Sequence, residues 1–239
     1  KGHVLRLRLS GTAIPDPQHL RAVMATAGFR PHAARPPYRS VALDLRQTPE
    51  TLLHRMSGKW RTDLRAAEKA GLELERGSGP ALAARFLALF GQVQATKGFR
   101  PEITPEFHFR LAEAAGPAAD YRVETLIARH AGRDVAGIVV GTAGRTATYL
   151  FGATGPEGRP RRAGYFLTWQ AVLQARAEGL HWYDLGGVDA AANPDVARFK
   201  ERMGGAPICA EVFEARPAAP WATLILGLER LRARLRGKG

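Results

Sequence analysis

Residues 121–153 read YRVETLIARHAGRDVAGIVVGTAGRTATYLFGA. Three apolar, β-rich runs lie in this stretch, at Tyr121–His130, Val135–Thr142 and Thr146–Ala153, with Gly132-Arg133 and Gly144-Arg145 between them. Two-residue glycine turns between such runs predict antiparallel hairpins. Downstream, Arg162–Glu178 has helical spacing, and Trp182–Leu185 is a short strand ending in Gly186-Gly187. Pro194–Met203 reads as a helix closed by Gly204-Gly205, and Ile208–Phe213 as a strand. Upstream come a strand at Leu72–Arg76 and helices at Pro80–Thr96 and Pro105–Ala115. The order from Leu72 is therefore β-α-α-β-β-β-α-β-α-β. Hairpins beside helical crossovers predict a mixed sheet of the α/β (α+β) class.

Before Leu72 the pattern is looser. Val4–Leu9 alternates like a half-exposed strand, Asp16–Ala27 is a helix stopped at Gly28, and Ser40–Leu45 is a strand. Thr48, Pro49 and Glu50 begin a helical pattern that ends at Gly71, with Gly58 as a break point. Leu52, Met56, Trp60 and Leu64 form its apolar stripe; Arg61, Arg65 and Lys69 share another face. A last helix is expected from about Pro220 to Arg236.

With 45% hydrophobic and 24% charged residues, the 239-residue chain is neither disordered nor fibrous. The single Cys209 excludes an intramolecular disulfide and a cysteine-based zinc site, and is expected as a small buried hydrophobe. The seven His are scattered, so no metal site is expected. No apolar run reaches the ~20 residues of a membrane span, and no secretory pattern opens the chain. A reducing, cytoplasmic location follows as the expectation. The chain opens at Lys1 rather than Met, which fits coding sequence upstream.

The net charge of +13 calls for an anionic partner. It is unevenly placed. Residues 1–71 hold 13 Lys and Arg against 5 Asp and Glu, residues 72–216 hold 17 against 16, and residues 217–239 hold 5 against 1. The excess belongs to the flanks.

Nucleophile-elbow, P-loop, dinucleotide and zincin motifs are absent. Chemistry concentrates instead in Trp182-Tyr-Asp-Leu-Gly-Gly187, Phe199-Lys200 and Gly204-Gly205. A strand ending in two glycines lets backbone approach a ligand. Asp184 stands near that end, and the Lys200 ammonium suits an oxyanion. The structural alternative is a plain turn, an Asp that pairs locally and a surface Lys.

The element order is similar to the GNAT acyltransferase fold, in which two central strands splay and admit the acyl donor. More specifically, the chain resembles the FemABX family of non-ribosomal peptidyltransferases. Lys59-Trp-Arg-Thr-Asp-Leu-Arg-Ala-Ala-Glu-Lys-Ala-Gly71 resembles that family's basic helix, and Tyr149-Leu-Phe-Gly-Ala153 its aromatic strand. Tyr165–Gly179, followed by Tyr183–Gly187 and Phe199–Gly205, resembles its C-terminal signature.

This resemblance implies a partial first GNAT-like domain over 1–71, a complete one over 72–216, and a basic amphipathic helix over 217–239. It implies transfer from aminoacyl-tRNA, as co-substrate rather than cofactor, to the amine of a UDP- or lipid-linked peptidoglycan precursor. Lys200 would stabilise the oxyanion, Phe199 would shape the donor tunnel, and Asp184 is a candidate base. Tyr149, Phe151, Gly186 and Gly187, with Thr96, Lys97 and Arg100 in a loop, would meet substrate. Lys59, Arg61, Arg65 and Lys69 would hold phosphates, unless they are simply a solvated face. The terminal helix is expected to pack on its own domain, with peripheral contact to the inner face of an anionic membrane as the alternative.

One alternative keeps the fold and takes acetyl-CoA or another acyl-CoA as donor. GNAT enzymes cradle CoA with an [RQ]-x-x-G-x-[GA] loop; Arg161-Arg-Ala-Gly164 fits, but Phe166 stands where a small residue belongs. Another is transfer to a lipid headgroup.

Overall fold

A computed structural model describes residues 5–8, 16–32, 38–98, 103–116 and 120–215. In chain order the elements are β1 (Leu5–Arg8), α1 (Pro17–Thr26), β2 (Arg30–Pro31), β3 (Tyr38–Asp44), α2 (Pro49–Arg55), α3 (Gly58–Glu68), β4 (Glu73–Gly77), α4 (Pro80–Lys97), α5 (Pro105–Ala115), β5 (Tyr121–His130), β6 (Arg133–Ala143), β7 (Thr146–Thr154), α6 (Ala163–Ala177), β8 (Trp182–Asp184), α7 (Pro194–Glu201), β9 (Ala206–Ala210) and β10 (Val212–Ala215). The chain divides into two compact units, one of Lys1–Arg39 with Ile208–Gly239 and one of Ser40–Pro207.

This division does not fall at the expected 71/72 boundary. β3 pairs antiparallel with β8, Ala42 opposite Asp184 and Leu43 opposite Tyr183, so residues before 72 complete the larger unit's sheet. The expected segment 217–239 lies outside the described residues. In the smaller unit, β1, β10 and β2 form a three-stranded antiparallel sheet in which Phe213 is fully buried. The expected strand Ile208–Phe213 is two strands, β9 and β10, which belong to different sheets.

The larger sheet has the order β4-β5-β6-β7-β8-β3-β9. β4 to β7 are antiparallel, while β8 returns parallel to β7 through the α6 crossover. This is the mixed sheet expected from the sequence. The β5–β6 turn is Ala131-Gly132, one residue earlier than expected, with both residues at positive φ as a type I′ hairpin requires.

Apolar residues cover both faces. α6 and α3 pack with one cluster that includes Leu126, Ile138, Val140, Ala147 and Tyr183. α4 covers the other face with Phe86, Phe90, Ile127, Val139 and Ala153. Leu52, Met56, Trp60 and Leu64 are buried as their spacing predicts. Leu52, Met56 and Leu64 each contribute roughly 1.5–3 kcal/mol by leaving water. Met56 has extended backbone and Ser57 caps α3, so the helical pattern breaks there, next to Gly58. Cys209 is exposed, against expectation, because β9 is an edge strand.

Candidate active site at the splayed strands

β7 and β8 pair only over Thr146–Thr148 and Trp182–Asp184. β7 runs on to Thr154 while β8 stops at Asp184. The two strands therefore part just where β7 carries an irregularity. Val139 of β6 faces Phe151 and Val140 faces Tyr149, which leaves Leu150 as an extra residue. Such a bulge re-aims the side chains beside it. Ala147 and Tyr149 join the α6-side cluster, whereas Leu150, Phe151 and Ala153 join the α4-side cluster.

Tyr149 and Phe151, both expected to meet substrate, thus pack with clusters on different faces of the sheet. Phe151 lies edge-on to Phe90 and to His108, with both centroid distances 5.7 Å. Tyr149 lies on the opposite face, and its hydroxyl hangs over Gly152, where a Cβ would sit 1.7 Å from it.

Lys200 meets Tyr149 from α7. Its ammonium is 5.5 Å from the Tyr149 ring centroid and donates to the Gly187 carbonyl at 2.7 Å. The residue is only 7% exposed, and burial lowers its pKa to about 8, a shift that nearby Asp184 partly opposes. Burial also pushes the Tyr149 and Tyr183 hydroxyls up. Gly187 spends its carbonyl on one ammonium proton, leaving two for other acceptors.

Asp184 is buried and takes the local role weighed against catalysis. It accepts from the Gly186 N–H at 2.8 Å and from the Ser40 hydroxyl, which also faces the Gly186 carbonyl at 2.8 Å. Gly186 has φ +72, and a Cβ there would lie 2.3 Å from the Tyr149 carbonyl oxygen. Only glycine fits that close crossing of the two parted chains.

A cavity of about 500 Å³ opens beside this cluster. Tyr149, Gly152 and Thr154 of β7, Phe199 of α7, Tyr165 and the loop before α6, and Lys59 and Asp63 of α3 line it. Phe199 packs edge-on against Tyr165 at 4.9 Å and tilted against buried Trp60 at 5.8 Å. Arg159, Arg162 and Lys59 against Asp63 make the wall net cationic, which suits an anionic ligand.

The basic helix splits by role. Lys59 turns to Asp63 at 3.2 Å. Arg61 donates to the carbonyls of His54 at 3.1 Å and of Met56, and so caps the end of α2. Arg65 and Lys69 are exposed and stand outside the lining of this cavity. Thr96 is exposed and bonds back to the Gln92 carbonyl at 2.9 Å. The Lys97 side chain, Arg100 and the terminal helix lie outside the described residues. Ser40, Asp63, Gly152, Arg162 and Tyr165 are parts of the site that had no role in the sequence reading, although all but Ser40 stand inside motifs quoted from it. Asp63 is a charge buried with Trp60, Leu64 and Ala67 of α3. Among the described residues there is no metal-binding cluster of three or more His, Cys, Asp or Glu.

A short parallel pair that parts at a bulge, with a helical crossover between its strands, fits the GNAT acyltransferase fold. Residues 55–201 match the acetyltransferase (GNAT) domain family, more than half of the chain, and the chain belongs to that family. Its fold is similar to that of FemX, with a TM-score of 0.76 and 16% identity over 93% of this chain and 74% of that one. It is also similar to the C-terminal domain of a putative lysylphosphatidylglycerol synthetase from Agrobacterium fabrum, with a TM-score of 0.56 and 16% identity over 87% and 68% of the two chains. The L-PGS of Bacillus licheniformis gives a TM-score of 0.57 and 13% identity over 87% and 68%. A search of curated protein sequences finds no match. No helix among the described residues is long and apolar enough to cross a membrane.

Proposed function

We propose that this acyltransferase moves an amino acid from aminoacyl-tRNA to the amine of a UDP- or lipid-linked peptidoglycan precursor, in the manner of the FemABX family. The observation that carries the reading is Lys200, a buried ammonium held against Tyr149 where β7 and β8 part. The acceptor amine attacks the ester carbonyl, a C–N bond forms, and the C–O bond to the tRNA ribose breaks. Lys200 stabilises the negative oxygen of the tetrahedral intermediate. The ester is already activated, so rate comes from positioning and charge stabilisation. Asp184 is occupied by Ser40 and Gly186, which favours a substrate group as the proton acceptor. Similarity to FemX supports the choice of donor, as does Phe166 in place of a small residue after Arg161-Arg-Ala-Gly164.

A second reading has specific support. The family description and the Arg161–Gly164 loop favour an acyl-CoA donor into the same cationic cavity. Labelled aminoacyl-tRNAs and labelled acetyl-CoA, each offered with peptidoglycan precursors and with phosphatidylglycerol, separate the readings. Label moving from aminoacyl-tRNA to the precursor is the expected result. Label moving only from acetyl-CoA overturns the first reading, and label found only in lipid moves the acceptor to a headgroup.

A further inference from the structure

Asp63 stands in the apolar stripe of α3 beside Trp60, Leu64 and Ala67, and its side chain is only 7% exposed. A buried carboxylate persists where partners hold it. Here they come from two elements. Lys59 lies 3.2 Å away one turn earlier, and Arg162 donates from Nε at 3.0 Å from the head of α6. Tyr165 lines the same cavity wall, and burial with the nearby Asp63 charge pushes its hydroxyl pKa up. Burial pushes the Asp63 carboxyl up, but Lys59 and Arg162 outweigh it and leave it below the ordinary carboxylate value.

These partners matter for the site. Arg162 caps α6 in the left-handed region at φ +56, uncommon for a residue with a side chain, and also bonds the Arg159 carbonyl at 3.3 Å. Tyr165 packs against Phe199 at 4.9 Å and Trp60 at 5.2 Å. Phe199 precedes Lys200 on α7. Asp63 thus holds the head of α6 at Arg162, and Tyr165 in the first turn of that helix packs on the residue beside the ammonium.

We infer that Asp63 is a positioning residue that holds Arg162 at the head of α6 in the cavity wall, and so fixes Tyr165 in the first turn of that helix against the Phe199–Lys200 end of α7. The inference rests on the reading of Lys200 given above. An apolar residue at 63 would complete the stripe equally well, so what the carboxylate adds is a directed tie between α3 and the loop before α6. Arg162, Tyr165 and Phe199 wall one cavity, so loss of the tie acts on turnover of whatever donor enters it.

Asp63→Leu removes the tie while keeping the stripe apolar, and Asp63→Asn keeps an oxygen that accepts from Arg162. Crystal structures and single-turnover transfer from aminoacyl-tRNA are measured for both. In the Leu variant, Arg162 is expected to leave the left-handed region and the Tyr165 ring to move by about 1 Å from Phe199, with transfer falling by about ten- to a hundredfold. The Asn variant should fall between it and the parent. An Arg162 and Tyr165 that stay in place in Asp63→Leu overturn the proposal. So do displaced side chains with unchanged transfer, or a lower unfolding temperature as the only effect. If the parent protein uses no aminoacyl-tRNA, the proposed donor fails, while the displacement still decides whether Asp63 holds this wall.

Discussion

The two faces of β7 differ although they share one backbone. On the α6 face, Tyr149 sits over Gly152 and beneath the Lys200 ammonium, next to a cationic cavity. On the α4 face, Phe151 packs with Phe90 and His108 in an aromatic cluster. The His108 ring is kept below its ordinary pKa by burial, and its Nδ1 lies 2.7 Å from the Tyr121 hydroxyl. One extra residue, Leu150, separates these roles by reversing the alternation of the strand. A bulge thus turns one aromatic side chain toward Lys200 and the cavity and leaves its neighbour as packing.

Changes on the two faces should break in different ways. The largest effect is expected from Lys200→Ala, a loss of about 10²–10³ in turnover, with tRNA binding retained in a filter assay. Next is Gly152→Ala. Its methyl would meet the Tyr149 hydroxyl at 1.7 Å and drive the ring off Lys200. Turnover should drop about tenfold or more, and Tyr149→Phe on that background should recover part of it.

Lys200→Met should raise stability by about 1–3 kcal/mol at pH 7, read from urea unfolding. The sign follows from the lowered pKa. Below pH 8 the folded protein carries a buried ammonium it disfavours, and this cost fades as pH rises from about 8 toward 10.5. The stability gain from the substitution should therefore shrink at high pH. The smallest effect on activity belongs to Phe151→Ala, which should cost about 1–3 kcal/mol of stability and leave transfer unchanged. Equal kinetic damage from Gly152→Ala and Phe151→Ala would erase the distinction between the faces.

Much of this architecture was readable in the chain. Glycine turns, proline-led helices and the stripe of Leu52, Met56, Trp60 and Leu64 are local signals, and they located most elements within one or two residues. The splay was readable only through resemblance. The bulge was not, because Tyr149, Leu150 and Phe151 are all large and apolar, so no polar position marks the change of face. The unit boundary was missed because β3 finds its partner about 140 residues later, and strand pairing at that range leaves no local trace. The break between β9 and β10 falls at Glu211, the single charged residue in an otherwise apolar run from Ile208 to Phe213. In the site, Lys200 and Tyr149 were legible from the family pattern. Asp63 and Arg162 were not, since their meaning comes from meeting each other across 99 positions.

The central claim is that a protonated Lys200 stabilises the developing oxyanion, and the pH dependence of single-turnover transfer tests it most directly. With its ammonium titrating near 8, the rate should fall above that pH, by about tenfold per unit. Lys200→Arg, whose cation persists, should lose the alkaline limb even if its overall rate is lower. An alkaline limb that is absent from the parent protein, or that survives unchanged in Lys200→Arg, would contradict the account.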